Sequence, residues 1–193
     1  REDDLMPAID RLFRRLGRSP ADLGLIAVST GPGGFTALRV CITVAKALAF
    51  ATQARCVGVP TARALAAAAR REGATPDLAV LLASKGHSSH ASVFDAGADQ
   101  PTTQRLIEAP DLAALDVRTI IADQFLPAAI HAEAQRLGLA IRPPHFSAAT
   151  VLELGEALAG AGAATPIDDL APLYPREPEA VTKWRQLHPD RPA

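Results

Sequence analysis

The stretch from Leu25 to Thr52 constrains this chain more than any other. An apolar strand candidate (Leu25-Ile26-Ala27-Val28), a glycine-rich turn (Gly31-Pro32-Gly33-Gly34) and a long helix candidate follow one another closely. At about 100° per residue, Arg39, Thr43, Lys46 and Gln53 share one narrow arc of that helix, and aliphatic residues fill the rest. A helix lying on one sheet face needs an apolar stripe of roughly 100°. This stripe is far wider, so the pattern predicts cover on two sides, and Ala45, Ala47, Ala49 and Ala51 suit the close approach of a second helix. The turn admits two readings. Unpaired N–H groups at a helix N-terminus can cradle an anion, but the spacing is neither that of a dinucleotide fingerprint nor that of a P-loop, which favours a sharp structural turn.

Before this unit, Leu5, Ile9, Leu12 and Leu16 form one stripe of a helix over Asp4–Leu16, with Met6 and Phe13 widening it and Gly17 as its stop. The acids of Arg1-Glu2-Asp3-Asp4 can cap or flank it, and Pro7 is tolerated in a first turn. Two broad-faced helices thus bracket a single strand. A lone strand is not a sheet, so the first half reads as short of strands on its N-terminal side. After the long helix, Arg55–Val59 reads as a strand and Thr61 as the cap of helix Ala62–Arg71. Gly73-Ala74-Thr75-Pro76 marks a boundary, predicting an N-terminal lobe over 1–73 and a C-terminal lobe over 74–193.

In the second part, Leu78–Ala83, Ala91–Phe94, Thr102–Ile107 and Val117–Ala122 read as strands, the first two joined by the polar segment 84–89. Pro127–Leu137 and Ala148–Ala159 read as helices. From Pro166 the recurrent prolines predict an extended tail. The net charge of −1 leaves no electrostatic footprint for a polyanion on the chain as a whole. It is unevenly spread: residues 1–75 carry eleven Lys/Arg against six Asp/Glu (+5), and 76–193 carry nine against fifteen (−6).

Catalytic chemistry is sparse. Cys41 and Cys56 read as small core residues in a reducing compartment. The longest apolar run is interrupted by Lys46 and reads as too short to span a bilayer. His87 and His90 sit beside a hairpin turn with no third ligand nearby and read as exposed turn residues. His131 and Glu133 lie two apart on a helix and face different ways. Asp168-Asp169, next to Pro166, reads as solvent-facing. No nucleophile elbow is present.

The run Ser29-Thr30-Gly31-Pro32-Gly33-Gly34-Phe35-Thr36-Ala37-Leu38-Arg39-Val40, with Val57-Gly58-Val59-Pro60-Thr61 downstream, resembles the bacterial TsaB (YeaZ) family. That family's signature is Gly-Pro-Gly-Ser-Phe-Thr-Gly-Leu-Arg before a Val-Gly-Val strand; here Gly34 replaces the serine and Ala37 the later glycine. Leu5-Met6-Pro7-Ala8-Ile9 and Pro172-Leu173-Tyr174-Pro175-Arg176 are similar to the family's first helix and C-terminal Pro-x-Tyr-x-Arg. The resemblance implies an actin/Hsp70-like (ASKHA, ribonuclease H-like) α/β fold in two lobes, here without the family's first strand hairpin. It implies a cytoplasmic, non-catalytic subunit of the machinery that makes threonylcarbamoyladenosine at position 37 of tRNA. Its partners would be a TsaD-like catalytic subunit and a TsaE-like ATPase, with a homodimer when isolated, tRNA contact only through the complex, and no membrane.

ATP and a metal are implied for the partner subunits, and no cofactor for this chain alone. Ala83-Ser84-Lys85 replaces the family's Asp-Ala-Arg, and Ala122-Asp123-Gln124 replaces a glycine-bearing turn, leaving less room for a phosphate beside the backbone. The resemblance makes Gly31, Pro32, Gly33, Gly34, Phe35, Thr36 and Arg39 the signature turn. The helix patterns together with it make Met6, Phe13, Val40, Val44, Ala47 and Ala51 the expected partner interface. The rival expectation is an ATP-dependent ASKHA enzyme or a metallopeptidase-like protein. Catalytic relatives carry His-x-x-x-His on the first helix, and Leu5–Leu16 contains no histidine.

Overall fold

The computed structural model describes residues 4–176 and 179–188. In chain order these form α1 (Leu5–Leu16), β1 (Leu25–Gly31), α2 (Phe35–Thr52), β2 (Arg55–Pro60), α3 (Thr61–Arg71), β3 (Leu78–Lys85), β4 (Ser88–Phe94), β5 (Thr103–Ile107), β6 (Thr119–Ala122), α4 (Ala128–Arg136), β7 (Ala140–Arg142), α5 (Ala148–Gly160) and α6 (Glu179–Leu187). The chain divides into two compact units: one of residues 1–30, 35–59 and 147–171, the other of 31–34, 60–146 and 172–193. Division by compactness therefore does not fall at residue 73. Residues 60–73 go with the second unit and 147–171 with the first.

In the first unit, β1 and β2 form a two-stranded sheet. Val28, Ile42, Ala45, Ala49, Cys56 and Leu170 make its buried cluster, with Ile26 and Ile167 packed against them. Helix α5 comes close to β1 because Gly155 has no side chain: a Cβ there would lie 2.5 Å from the Cβ of Ala27. The segment after α5 is tied to β2 by hydrogen bonds from Thr165 N to Cys56 O (2.8 Å) and from Gly58 N to Thr165 Oγ1 (3.0 Å). Asp168 and Asp169 are exposed, as their place beside Pro166 suggests. Helix α1 ends where expected. Gly17 is left-handed (φ 60°), and the amides of Gly17 and Arg18 donate to the carbonyls of Arg14 and Phe13. The Asp4 carboxylate does not cap this helix but pairs with Arg11 at 2.6 Å, while the other acids of the opening run, Glu2 and Asp3, lie outside the described residues.

The second unit holds a five-stranded sheet of order β5-β4-β3-β6-β7, with β5-β4-β3 antiparallel and β3-β6-β7 parallel. One face, through Leu81, Ala91, Val93 and Ile120, packs on Ile130 and Ala134 of α4 and on Leu112 and Leu115 of a short 3-10 turn. The other, through Leu78, Val80, Leu82 and Phe94, packs on Ala62, Leu65, Ala66 and Ala69 of α3. Arg70 of α3 fastens the neighbouring loops, donating to the carbonyls of Pro76, Asp95 and Ala98 at 2.6–3.1 Å.

Three local expectations are corrected. Thr61 is buried inside the first turn of α3, and Pro60, with its extended backbone, holds the cap position. The segment from Pro166 is not extended throughout. Leu170 enters the core, and the proline-free run Glu179–Leu187 forms α6; Pro178, Pro189 and Pro192 lie outside the described residues. At 18 residues, α2 is long and apolar enough to cross a membrane by length and composition, contrary to the shorter reading. Its role follows from packing instead, since Ile42, Ala45 and Ala49 belong to the buried cluster of the first unit.

Candidate functional site

Helix α2 buries only Leu38, Ile42, Ala45 and Ala49, one line at spacings of four, three and four. The two-sided cover expected from its composition is therefore not supplied by the described residues. Away from that line, Ala47, Val40, Ala51, Val44, Ala37, Leu48 and Cys41 follow one another around an arc of about 120°, all apolar, and all exposed or half-buried. Val40, Val44, Ala47 and Ala51, which the sequence singled out, lie within that arc. The polar strip lies to one side of it. There Arg39 rests its guanidinium 3.9 Å above the Phe35 ring, one turn apart, and Phe50 is 76% exposed. That stacking holds the arginine against its own helix.

Helix α1 has no fully buried residue. Leu5, Ile9 and Phe13 are half-buried, whereas Met6 (51%), Leu12 and Leu16 are exposed. The line nearest the protein is therefore Leu5-Ile9-Phe13, not the Leu5-Ile9-Leu12-Leu16 stripe read from the sequence. The apolar arc is wider than the surface beneath it, and its edges and last turn are left open. Phe13, read as a flank, is on the covered line; Met6, its companion, is open. In the signature turn Gly31 and Pro32 are buried, while Gly33, Gly34, Phe35 and Thr36 are exposed. The Gly31–Pro32 bond is cis.

The sequence reading missed a polar cluster at the end of the β3–β4 hairpin. His90 is not an exposed turn residue: it is 8% exposed, and its Nδ1 has no hydrogen-bond partner among the described residues. Burial lowers its pKa below the ordinary value, and the nearby positive charge of Arg176 lowers it further. Arg176, the last residue of the Pro-x-Tyr-x-Arg run, donates to the carbonyls of Ala83 (3.3 Å) and Ser88 (3.0 Å) and to Ser88 Oγ (3.0 Å). Ala83 itself is left-handed at φ 51°. The signal lay in β4, where Ser-Ser-His-Ala-Ser reads as polar although Ser89, His90 and Ser92 are all buried. His87 remains exposed. No group of three or more His, Cys, Asp or Glu able to hold a metal occurs among the described residues.

The chain thus has an α/β fold with an open apolar helix after a glycine turn, and known proteins share it. Two solved structures from Pseudomonas aeruginosa share the fold. One is a protein with similarity to the peptidase YeaZ (TM-score 0.70, 19% identity, 91% of this chain and 84% of that one). The other is YeaZ itself (TM-score 0.68, 20% identity, 88% and 82%). The model of the family TsaD, tRNA N6-adenosine threonylcarbamoyltransferase, matches residues 2–171, so the chain belongs to that family.

Within it the chain is TsaB/YeaZ-like. It is 34% identical over 83 residues to the tRNA threonylcarbamoyladenosine biosynthesis protein TsaB of Escherichia coli (42% of this chain, 36% of that protein). It is 37% identical over 65 residues to TsaB of Bacillus subtilis (34% and 28%). It is also 38% identical over 89 residues to a tRNA N6-adenosine threonylcarbamoyltransferase of Thermus thermophilus (46% and 28%). The matched region spans roughly a third or less of the length of these relatives.

Proposed function

We propose that this chain is the non-catalytic scaffold subunit of the complex that makes threonylcarbamoyladenosine at position 37 of tRNA. It pairs with a TsaD-like catalytic subunit through the open faces of α1 and α2. A TsaE-like ATPase joins them, ATP and a metal belong to the partners, and the complex works in the cytoplasm. The observation that carries the reading is the apolar arc of α2, Val40-Val44-Ala47-Ala51, turned away from the line that the chain itself buries. Small side chains at that spacing let a partner helix come close. Met6 extends the open surface onto α1. The rival reading, a catalytic subunit, draws on relatives that are themselves named transferases. Against it stands the absence of histidine from α1, which would leave a metal-dependent transferase without that pair of ligands.

The test is Ala47→Arg or Ala51→Arg. An unpaired charge desolvated at a helix contact costs several kcal/mol, enough to weaken pairing by a few powers of ten. Both alanines are exposed in the chain alone, so its melting temperature is expected to hold. Co-purification with the catalytic subunit is expected to fail. Intact pairing would place the interface elsewhere.

A further inference from the structure

Helix α1 has a second face. Arg11, Arg14 and Arg15 fall within an arc of about 100° directly opposite the apolar line Leu5-Ile9-Phe13, and Arg18 follows just past the Gly17 stop. Residues 4–18 thus carry four arginines against two aspartates, a local charge of +2 in a chain whose net charge is −1. The two aspartates are spent on the earlier arginines: Asp4 pairs with Arg11 at 2.6 Å and Asp10 with Arg14 at 2.9 Å. Among the described residues neither Arg15 nor Arg18 has an ion-pair partner within 4.0 Å, although the charge of Arg18 acts on the nearby Asp22 carboxylate, and both arginines are exposed.

We propose that this arginine stripe is the chain's contact with the phosphate backbone of tRNA in the assembled complex. The inference rests on the proposed scaffold function and adds to it a surface and a ligand chemistry. One or two cations suffice to complement the C-terminal dipole of a helix; four within eight residues exceed that need. Arginine forks match phosphate oxygens two at a time. The stripe also lies opposite the line that the chain itself covers, so a protein partner seated on the open edge at Met6 leaves the arginines open to solvent. A patch of so few charges is too small to hold tRNA alone. It adds its share to a larger surface.

The experiment uses the chain co-purified with its catalytic subunit, measuring binding of unmodified tRNA between about 0.05 and 0.3 M salt. Each phosphate contact contributes about −0.9 to the log–log salt slope of a duplex. The double variant Arg15→Gln/Arg18→Gln is expected to make the slope shallower by about 1.8 and to weaken binding about 30-fold at 0.15 M salt. Arg118→Gln, an exposed arginine of the second unit, is expected to change neither. An unchanged slope with the complex intact would overturn the proposal. So would an effect of the double variant only on binding to phosphatidylserine vesicles, which would assign the stripe to a membrane surface. Failure of the unsubstituted chain to pair at all would remove the scaffold reading, and this inference with it.

Discussion

Gly155 and Gly160 stand in the same helix, and substituting each with alanine separates two effects that usually travel together. Alanine favours a helix over glycine by about 0.5–1 kcal/mol, by restricting the unfolded chain and covering the backbone. At Gly160 nothing lies within 4 Å of the position a Cβ would take, so Gly160→Ala should be neutral or stabilising by up to that amount. At Gly155 the new methyl would sit 2.5 Å from Ala27 Cβ and 3.6 Å from its Cα. Methyl carbons settle at about 3.5–4.0 Å, so α5 must move from β1 by about 1 Å, loosening the contact of the same helix with Val59. Overpacking of this kind costs about 1–3 kcal/mol, which outweighs the helix gain. Gly155→Ala should therefore melt lower than the unsubstituted chain, by about 2–4 °C for each kcal/mol lost in a chain of this size. The assay is thermal unfolding of both variants under one condition. A Gly155→Ala variant as stable as Gly160→Ala would refute the close approach of α5 to β1 and, with it, the packing that builds the first unit.

Two further predictions concern the hairpin cluster. Because burial and Arg176 lower the pKa of His90 in the folded chain, the unfolded chain takes up a proton first as pH falls through the ordinary value of 6.5. Stability should fall with acid from that pH down to the lowered folded value, and His90→Leu should flatten this limb in denaturant titrations at successive pH values; an unchanged acid limb would refute the assignment. Arg176→Met should strand the carbonyls of Ala83 and Ser88 at a cost of about 1–3 kcal/mol each where water cannot replace the donor. Limited proteolysis should then cut the 172–188 segment faster, and unchanged cleavage would show that the guanidinium does not hold it.

What the sequence disclosed and what it hid follow from how local each signal is. The bounds of α2 and the stop of α1 are written in contiguous residues, a glycine turn before Phe35 and Gly17 in a left-handed conformation, and both were legible. The open arc of α2 was legible as an excess of apolar surface, although which four residues the chain would bury was not. That choice depends on Leu170, far along the chain. His90 was misread because its burial comes from neighbouring strands and from Arg176, contributed 86 positions later. The three residues of β7 have too little periodicity to announce a strand, and α6 was obscured by the prolines around it.

The core of the first unit is completed late in synthesis. β1, α2 and β2 leave the ribosome early, yet Leu170, Ile167 and the glycine that lets α5 settle on β1 emerge only after residues 60–146 have been made. Until then the early segment holds a two-stranded sheet, marginal on its own, and a long apolar helix with nothing to bury its Leu38-Ile42-Ala45-Ala49 line. The intervening stretch is continuous and carries the whole five-stranded sheet, so it can condense first. Joining the ends of a loop that long as free chain would carry the entropic cost of closure, which grows with the logarithm of loop length. A nascent chain stalled before Ser147 would therefore expose the same helix from both sides, making it a target for chaperones at a stage when the finished chain would present only one.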